Sequence, residues 1–184
     1  KLLNTCYLGK KSDTDSTCAS YCYSYYSSSY KPVAKCDYSN IGINESDYYG
    51  KMIESVYWNV GEPSSGSFVN ADSQYTKEIA SYTSSTSKIG LMYASDWGYA
   101  IEGFTGVLGS SSSYMNKNWL FSNGCEWTMS AYSSLEPLLV NSNGYLNNSN
   151  SYDGYAARPV LYLKSSVYVV SGSGSESDPY IIGM

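Results

Sequence analysis

From Tyr132 to Tyr155 the chain sets out Tyr132, Ser133, Asn141, Asn143, Tyr145, Asn147, Asn148, Asn150, Tyr152, Asp153 and Tyr155, a run rich in phenols, amides and hydroxyls. A phenol offers broad, stiff contact area at low entropy cost, and small polar neighbours adapt their hydrogen bonds to it. This vocabulary predicts recognition of another molecule rather than bond making. Catalysis has few instruments here. The 184 residues include no histidine, which removes the commonest general base and the usual nitrogen ligand for metals. Ser-His-Asp and Cys-His nucleophile systems are therefore excluded. The carboxylate pairs Asp13 with Asp15, Glu45 with Asp47, and Glu176 with Asp178 could in principle cleave a glycosidic bond. Each lies in a polar, loop-like context, where a solvated face is the better account. "DTDST" at Asp13 resembles the opening of a calcium loop but lacks the glycine and the closing glutamate that such a loop needs. "GSGSESDPY" has glycines without the lysine and helix of a phosphate loop. No cofactor and no metal are expected.

Composition points the same way. Tyr occurs 22 times against 3 Phe and 4 Trp. A buried phenol must find a partner for its hydroxyl, so aromatics serving only the core would include more Phe. Many tyrosines are expected at the surface. The formal charge of −5, with only 11 Lys and Arg, supplies no basic patch to neutralise phosphates, so nucleic acid is not an expected partner. No apolar run approaches the about 20 residues that cross a bilayer. With Lys1 as its first residue, the chain reads as a mature or trimmed ectodomain.

Cys6, Cys18, Cys22 and Cys36 crowd into the first 36 residues, while Cys125 stands apart. An even cluster in a Ser-, Thr- and Tyr-rich anionic chain predicts two disulfides and an oxidising compartment. A structural zinc site is the alternative. It is disfavoured because only Cys18 and Cys22 are closely spaced and no histidine assists them. Spacing does not choose among the three connectivities; the one expected is Cys6 with Cys36 enclosing Cys18 with Cys22. Cys125 is expected to be a small buried residue, with a free thiol as the alternative.

These residues need a scaffold. Residues 1 to 40 read as a cross-linked Tyr- and Ser-rich extension, because hydroxyl-rich chain buries little apolar surface against its conformational entropy. Residues 41 to 184 read as the main domain. "KMIESVYWNVG" alternates Met52, Val56, Trp58 and Val60 as a strand does. "ADSQYTKEIASY" predicts a short helix capped at Asp72 or Ser73. "KIGLMYASDWGYA" predicts a strand entering a helical turn that Ser95-Asp96 caps before Trp97. Residues 103 to 118 read as a surface loop. Further strands are predicted at Asn118 to Phe121, Glu126 to Ser130, Leu138 to Val140 and Arg158 to Leu163, the last covered on both faces. "SSVYVV" and "PYIIG" predict a closing hairpin. Short strands without a βαβ rhythm imply an α+β class with a mostly antiparallel, twisted sheet, long loops and few short helices.

"KIGLMYASDWGYA", "NWLFSNGCEWTMS", "VNSNGYLNNSNSYDGYAARPVLYLKSSV" and "GSGSESDPYII", in this order over about residues 50 to 184, resemble a group of surface proteins of gut-type bacteria. That group is similar in layout to the C-type-lectin-like fold of formylglycine-generating domains and of the variable proteins of diversity-generating retroelements. The resemblance implies a C-type-lectin-like domain whose Asn, Tyr, Ser and Asp face a ligand, and in some members a pilin-like N-terminal anchor. The enzymatic activity of the formylglycine-generating relatives is not implied, since it depends on cysteines in the C-terminal half, where this chain has only Cys125. The expectation is an extracellular or cell-surface recognition or adhesion domain for a protein or glycan ligand. The alternatives are a pilus or filament subunit whose partners are its own copies and, third, an acid-pair glycosidase.

Overall fold

A computed structural model describes residues 3–12, 14–21, 37–63, 67–80, 84–110, 117–121, 123–151 and 153–184. Among these, four short α-helices follow an N-terminal π-helical turn at Leu3–Tyr7: α1 Ser16–Tyr21, α2 Tyr48–Lys51, α3 Ala71–Ile79 and α4 Ala94–Tyr99. Ten short strands are β1 Val56–Asn59, β2 Ser84–Ser87, β3 Ile89–Leu91, β4 Glu126–Ala131, β5 Pro137–Val140, β6 Leu146–Asn148, β7 Ala156–Ala157, β8 Pro159–Leu161, β9 Tyr168–Ser171 and β10 Ile181–Gly183. The central sheet runs β6-β5-β4-β7, and β1 with β2, β3 with β8 and β9 with β10 form two-stranded ladders. Every pairing is antiparallel except β4 with β7. The class is therefore α+β with few short helices and mostly antiparallel sheets, as the sequence implied. No helix among the described residues is long and apolar enough to cross a membrane.

The core explains the strand pairing. Met92, Ala94, Trp97, Leu108, Leu138, Val140 and Leu146 are buried together, so α4 seats its apolar side on β5 and β6. The Trp97 indole donates to the Gly144 carbonyl at 3.1 Å, which gives the buried ring the polar partner it needs. A smaller cluster joins Leu8, Ile53 and Ile89. There the Asn4 side chain donates to the Ile89 carbonyl at 2.6 Å and accepts from Ile89 N at 2.8 Å. One amide thus acts as an extra rung on β3 and ties the N-terminal segment to it. Gly90 is required where it stands: a Cβ there would lie 2.6 Å from the Trp58 ring.

Several elements differ from expectation for local reasons. Asn118 to Phe121 forms a turn, not a strand, because the Asn118 side chain accepts from Leu120 N at 2.9 Å, an alternative to ladder pairing open to short amides. α3 is capped by Asn70, whose Oδ1 accepts from Ser73 N at 2.9 Å, leaving Asp72 inside the first turn. α4 starts at Ala94, earlier than Trp97, because the Asp96 carboxylate reaches back to Tyr93 N at 2.9 Å. β8 is not covered on both faces: Tyr162 and Leu163 just beyond it are 53% and 43% exposed. Cys6 is bonded to Cys18, with Cα atoms 5.8 Å apart, and not to Cys36 as expected. Cys22 and Cys36 lie outside the described residues, as do Asp13 and Tyr152. Cys125 is a half-buried free thiol.

Candidate functional site

β4 decides what the sheet presents. Its residues alternate strictly, with Glu126, Thr128 and Ser130 buried and Trp127, Met129 and Ala131 partly exposed. The polar set faces inward because each member has a partner there. Glu126 meets Arg158 at 2.7 Å, the Thr128 hydroxyl donates to the Leu138 carbonyl at 2.8 Å, and the Ser130 hydroxyl donates to Glu78 at 2.5 Å. The apolar set is consequently turned outward.

Register extends that outward face across the sheet, since cross-strand partners share a face. Trp127 pairs with Leu139 and with Ala157, and Leu139 pairs with Asn147. A row Asn147, Leu139, Trp127, Ala157 results, in which Leu139 is buried at 3% exposure while Asn147, Trp127 and Ala157 reach solvent. The Tyr155 ring stands edge-on to Trp127 with centroids 5.1 Å apart, and the residue remains 39% exposed. A groove of about 360 Å³ adjoins this row, lined by Trp58, Ile89, Gly90, Leu91, Met129 and Ala157 among others. Ala157 belongs to both the row and the groove, and Met129, two residues from Trp127 on the same side of β4, lines the groove as well, so the aromatic shelf adjoins it.

Ten of the eleven candidate residues lie among the described residues, all but Tyr152, and these ten divide around this shelf. Tyr155 and Asn147 lie on it, and the Asn147 side chain accepts from Asn148 N at 2.9 Å. Asn148 is half-buried and pairs with core-facing Leu138, which puts it on the opposite face. Asn141 is buried, and its Oδ1 accepts from Asn143 N at 2.9 Å and Tyr145 N at 3.3 Å. It shapes the β5–β6 turn in which Gly144 takes a positive φ of 81°, Asn143 is exposed and Tyr145 is half-buried. Tyr132 and Ser133 lie at the other end of β5. Tyr132 stacks on Phe68 at 5.2 Å, and the Ser133 hydroxyl accepts from Glu136 N at 3.1 Å. The Asn150 carbonyl accepts from Asp153 N at 2.9 Å, and Asp153 takes the Ser149 hydroxyl. β5 thus separates Tyr132 and Ser133 from the Asn141–Tyr145 turn, and neither end shares the shelf. Trp127, Met129 and Trp58 were absent from the candidate set, although the alternation in "EWTMS" places the first two on one face.

Behind the sheet sits an unusual carboxylate. Glu78, only 4% exposed, accepts from Gln74 Nε2 at 3.0 Å, from Ser95 N at 3.3 Å, and from the hydroxyls of Ser95 and Ser130. It joins α3, α4 and β4 at one point. Burial raises its pKa above the ordinary carboxylate value, and the donated hydrogen bonds oppose that rise only in part. Nearby, burial chiefly, then Tyr162 and Glu78, push the Tyr93 phenol up to about 12. Its hydroxyl donates to the Asn59 carbonyl at 2.7 Å. The carboxylates singled out in sequence hold local structure: Glu45 pairs with Lys88 at 2.6 Å, and Asp178 accepts from Ser173 N at 2.8 Å. Asp15 accepts from Thr17 N and Cys18 N at the start of α1. Among the described residues no group of three or more acidic or cysteine side chains is arranged to hold a metal ion.

Comparison with protein-family models, curated proteins and solved structures found no match to the chain.

Proposed function

We propose that this chain is an extracellular bacterial recognition domain with a C-type-lectin-like arrangement, binding a protein or glycan through the face of β4 turned away from the core. The observation that carries this reading is the Trp127–Tyr155 pair, held at 5.1 Å on a sheet and running into an apolar groove. Pockets that bind ligands are concave, mostly apolar and edged by a few oriented polar groups. Here Ser85 and Ser87 supply polar groups at the groove, and exposed Asn147 supplies one at the far end of the row. The antiparallel sheets, long loops and few short helices are compatible with the fold proposed. The Cys6–Cys18 bond supports an oxidising, extracellular setting. Asn141 and Tyr132 hold the two ends of β5, away from the shelf, and are not part of the contact surface in this reading.

Arrays of host proteins and glycans, probed with wild type and with the Asn147→Ala/Tyr155→Ala double variant, test the proposal. Retained spots are expected to lose at least about tenfold in the variant, the effect of removing an aromatic anchor. Equal retention by a variant with an unchanged circular dichroism spectrum would refute it.

One observation favours a second reading, a filament subunit. The β9–β10 hairpin leaves Tyr168, Val169, Val170, Tyr180 and Ile181 exposed. A two-stranded hairpin is marginal alone, and apolar side chains on both of its faces suit burial against neighbouring copies. In that reading the hairpin, not the Trp127 shelf, is the covered surface.

A further inference from the structure

A second pocket, sharing no lining residue with the groove beside Trp127, lies between α4 and the Asn118–Phe121 turn. Its volume is about 380 Å³, and Met92, Ala100, Leu120 and Val160 form its apolar interior. Three further residues frame it: Trp119, Tyr99 and Asp96. Trp119 is 79% exposed and Tyr99 is 54% exposed.

So exposed an indole is held with unusual care. On one side Asn118, buried, donates from Nδ2 to the Trp97 carbonyl at 3.0 Å. On the other, the Leu120 carbonyl accepts from Arg158 at 2.7 Å, and the Phe121 ring stands edge-on to Trp97 at 6.2 Å. The turn is pinned at both flanks while its largest apolar side chain stays in water. Tyr99 is oriented as well, because its hydroxyl donates to Asp72 Oδ1 at 2.9 Å. Asp96 and Tyr99 lie three residues apart on α4 and so share one face. Asp96 forms no ion pair among the described residues.

Two aromatic faces, one carboxylate and an otherwise apolar lining are poorly suited to a sugar ring, whose several hydroxyls would each need a partner. They suit a cation with an aliphatic body, which gains from aromatic faces and an opposite charge together. We propose that the pocket framed by Trp119, Tyr99 and Asp96 binds an alkylammonium group. The group is of the choline type, because Asp96 is, among the described residues, the one carboxylate in the lining and a lysine ammonium would leave N–H donors without partners there, whereas a quaternary ammonium has none.

Titration followed by the Trp119 indole NMR signal, assigned with Trp119→Phe, tests this. The probes are choline, lysine blocked at its α-amine and carboxylate, and the uncharged tert-butyl analogue of choline. Saturable shifts are expected with choline, and weaker ones or none with blocked lysine; tighter binding of blocked lysine overturns the choline-type assignment. The neutral analogue and the Asp96→Asn variant should each bind about tenfold more weakly, the scale of a lost cation contact. Both side chains are exposed, and asparagine keeps an oxygen that can accept from Tyr93 N as Asp96 does at the start of α4, so the fold should survive, and near-ultraviolet circular dichroism verifies that. Absence of a saturable shift with choline, or equal binding of the neutral analogue, overturns the proposal. Neither result bears on the shelf at Trp127.

Discussion

Replacing Glu78 with Ala is expected to lower the unfolding free energy by about 3 kcal/mol or more, because it strands several buried donors at once. Gln74 Nε2, Ser95 N and the hydroxyls of Ser95 and Ser130 all point at this carboxylate. At 4% exposure the site lies out of reach of bulk solvent. The loss would be a large share of a typical domain's total stability of about 5–15 kcal/mol. Glu78→Gln should behave differently, since it keeps an acceptor for Gln74 and the hydroxyls can turn to accept from its amide.

The two variants also separate packing from charge. The native pKa of Glu78 is raised, chiefly by burial, so the folded protein holds this proton more firmly than the unfolded chain does. Its contribution to stability is complete below the unfolded value and declines as pH rises through the higher native value. Urea unfolding of wild type should therefore lose stability relative to Glu78→Gln as pH rises above the ordinary carboxylate value of about 4. A constant difference over that range would show that the carboxylate is solvated in the native state.

Opening the Cys6–Cys18 bond should cost about 3 kcal/mol, the chain-entropy value for a loop of about 15 residues. The sequence separation of 12 lies near that length. The effect should spread beyond the bond, because Cys6 lies in the turn that carries Asn4 onto β3. Comparing the denaturation midpoint of wild type with that of a Cys6→Ser/Cys18→Ser variant measures the loss, and hydrogen exchange at Ile89 N reports whether the Asn4 rung loosens. An unchanged midpoint would mean that Cys6 and Cys18 are not the pair that constrains the unfolded chain.

Much of the scaffold was legible from residue order because local chemistry and tertiary context agree there. Leu138 to Val140 reads as a core strand and is one. The hairpin of β9 and β10 follows from two β-favouring runs around a Gly/Ser turn. Disagreement arose where a side chain outbid the backbone pattern. Asn118 bonds to its own turn, and Asp96 reaches back one helical turn. The face of β4 was the hardest feature to foresee. Alternation would send Trp127 and Met129 inward, yet Glu126, Thr128 and Ser130 are buried because they find partners in Arg158 and Glu78, far away in the chain, and in Leu138 on the neighbouring strand. A shift by one residue exchanges the two faces of a strand, and those remote partners set which one is buried. The Cys6 pairing was hidden for a related reason, since spacing carries no connectivity. The candidate run from Tyr132 to Tyr155 was recognisable as polar and Tyr-rich. Its division by β5 depended on strand pairing that composition does not encode.

The most direct measurement is hydroxyl-radical footprinting of the protein alone, concentrated, and saturated with a ligand retained on the arrays. The account predicts that ligand shields Trp127, Met129 and Tyr155 while Tyr168 and Tyr180 continue to oxidise at their free rate. Shielding of Tyr168 and Tyr180 upon concentration alone, with Trp127 and Tyr155 untouched by any ligand, would contradict it and assign the contact surface to the hairpin.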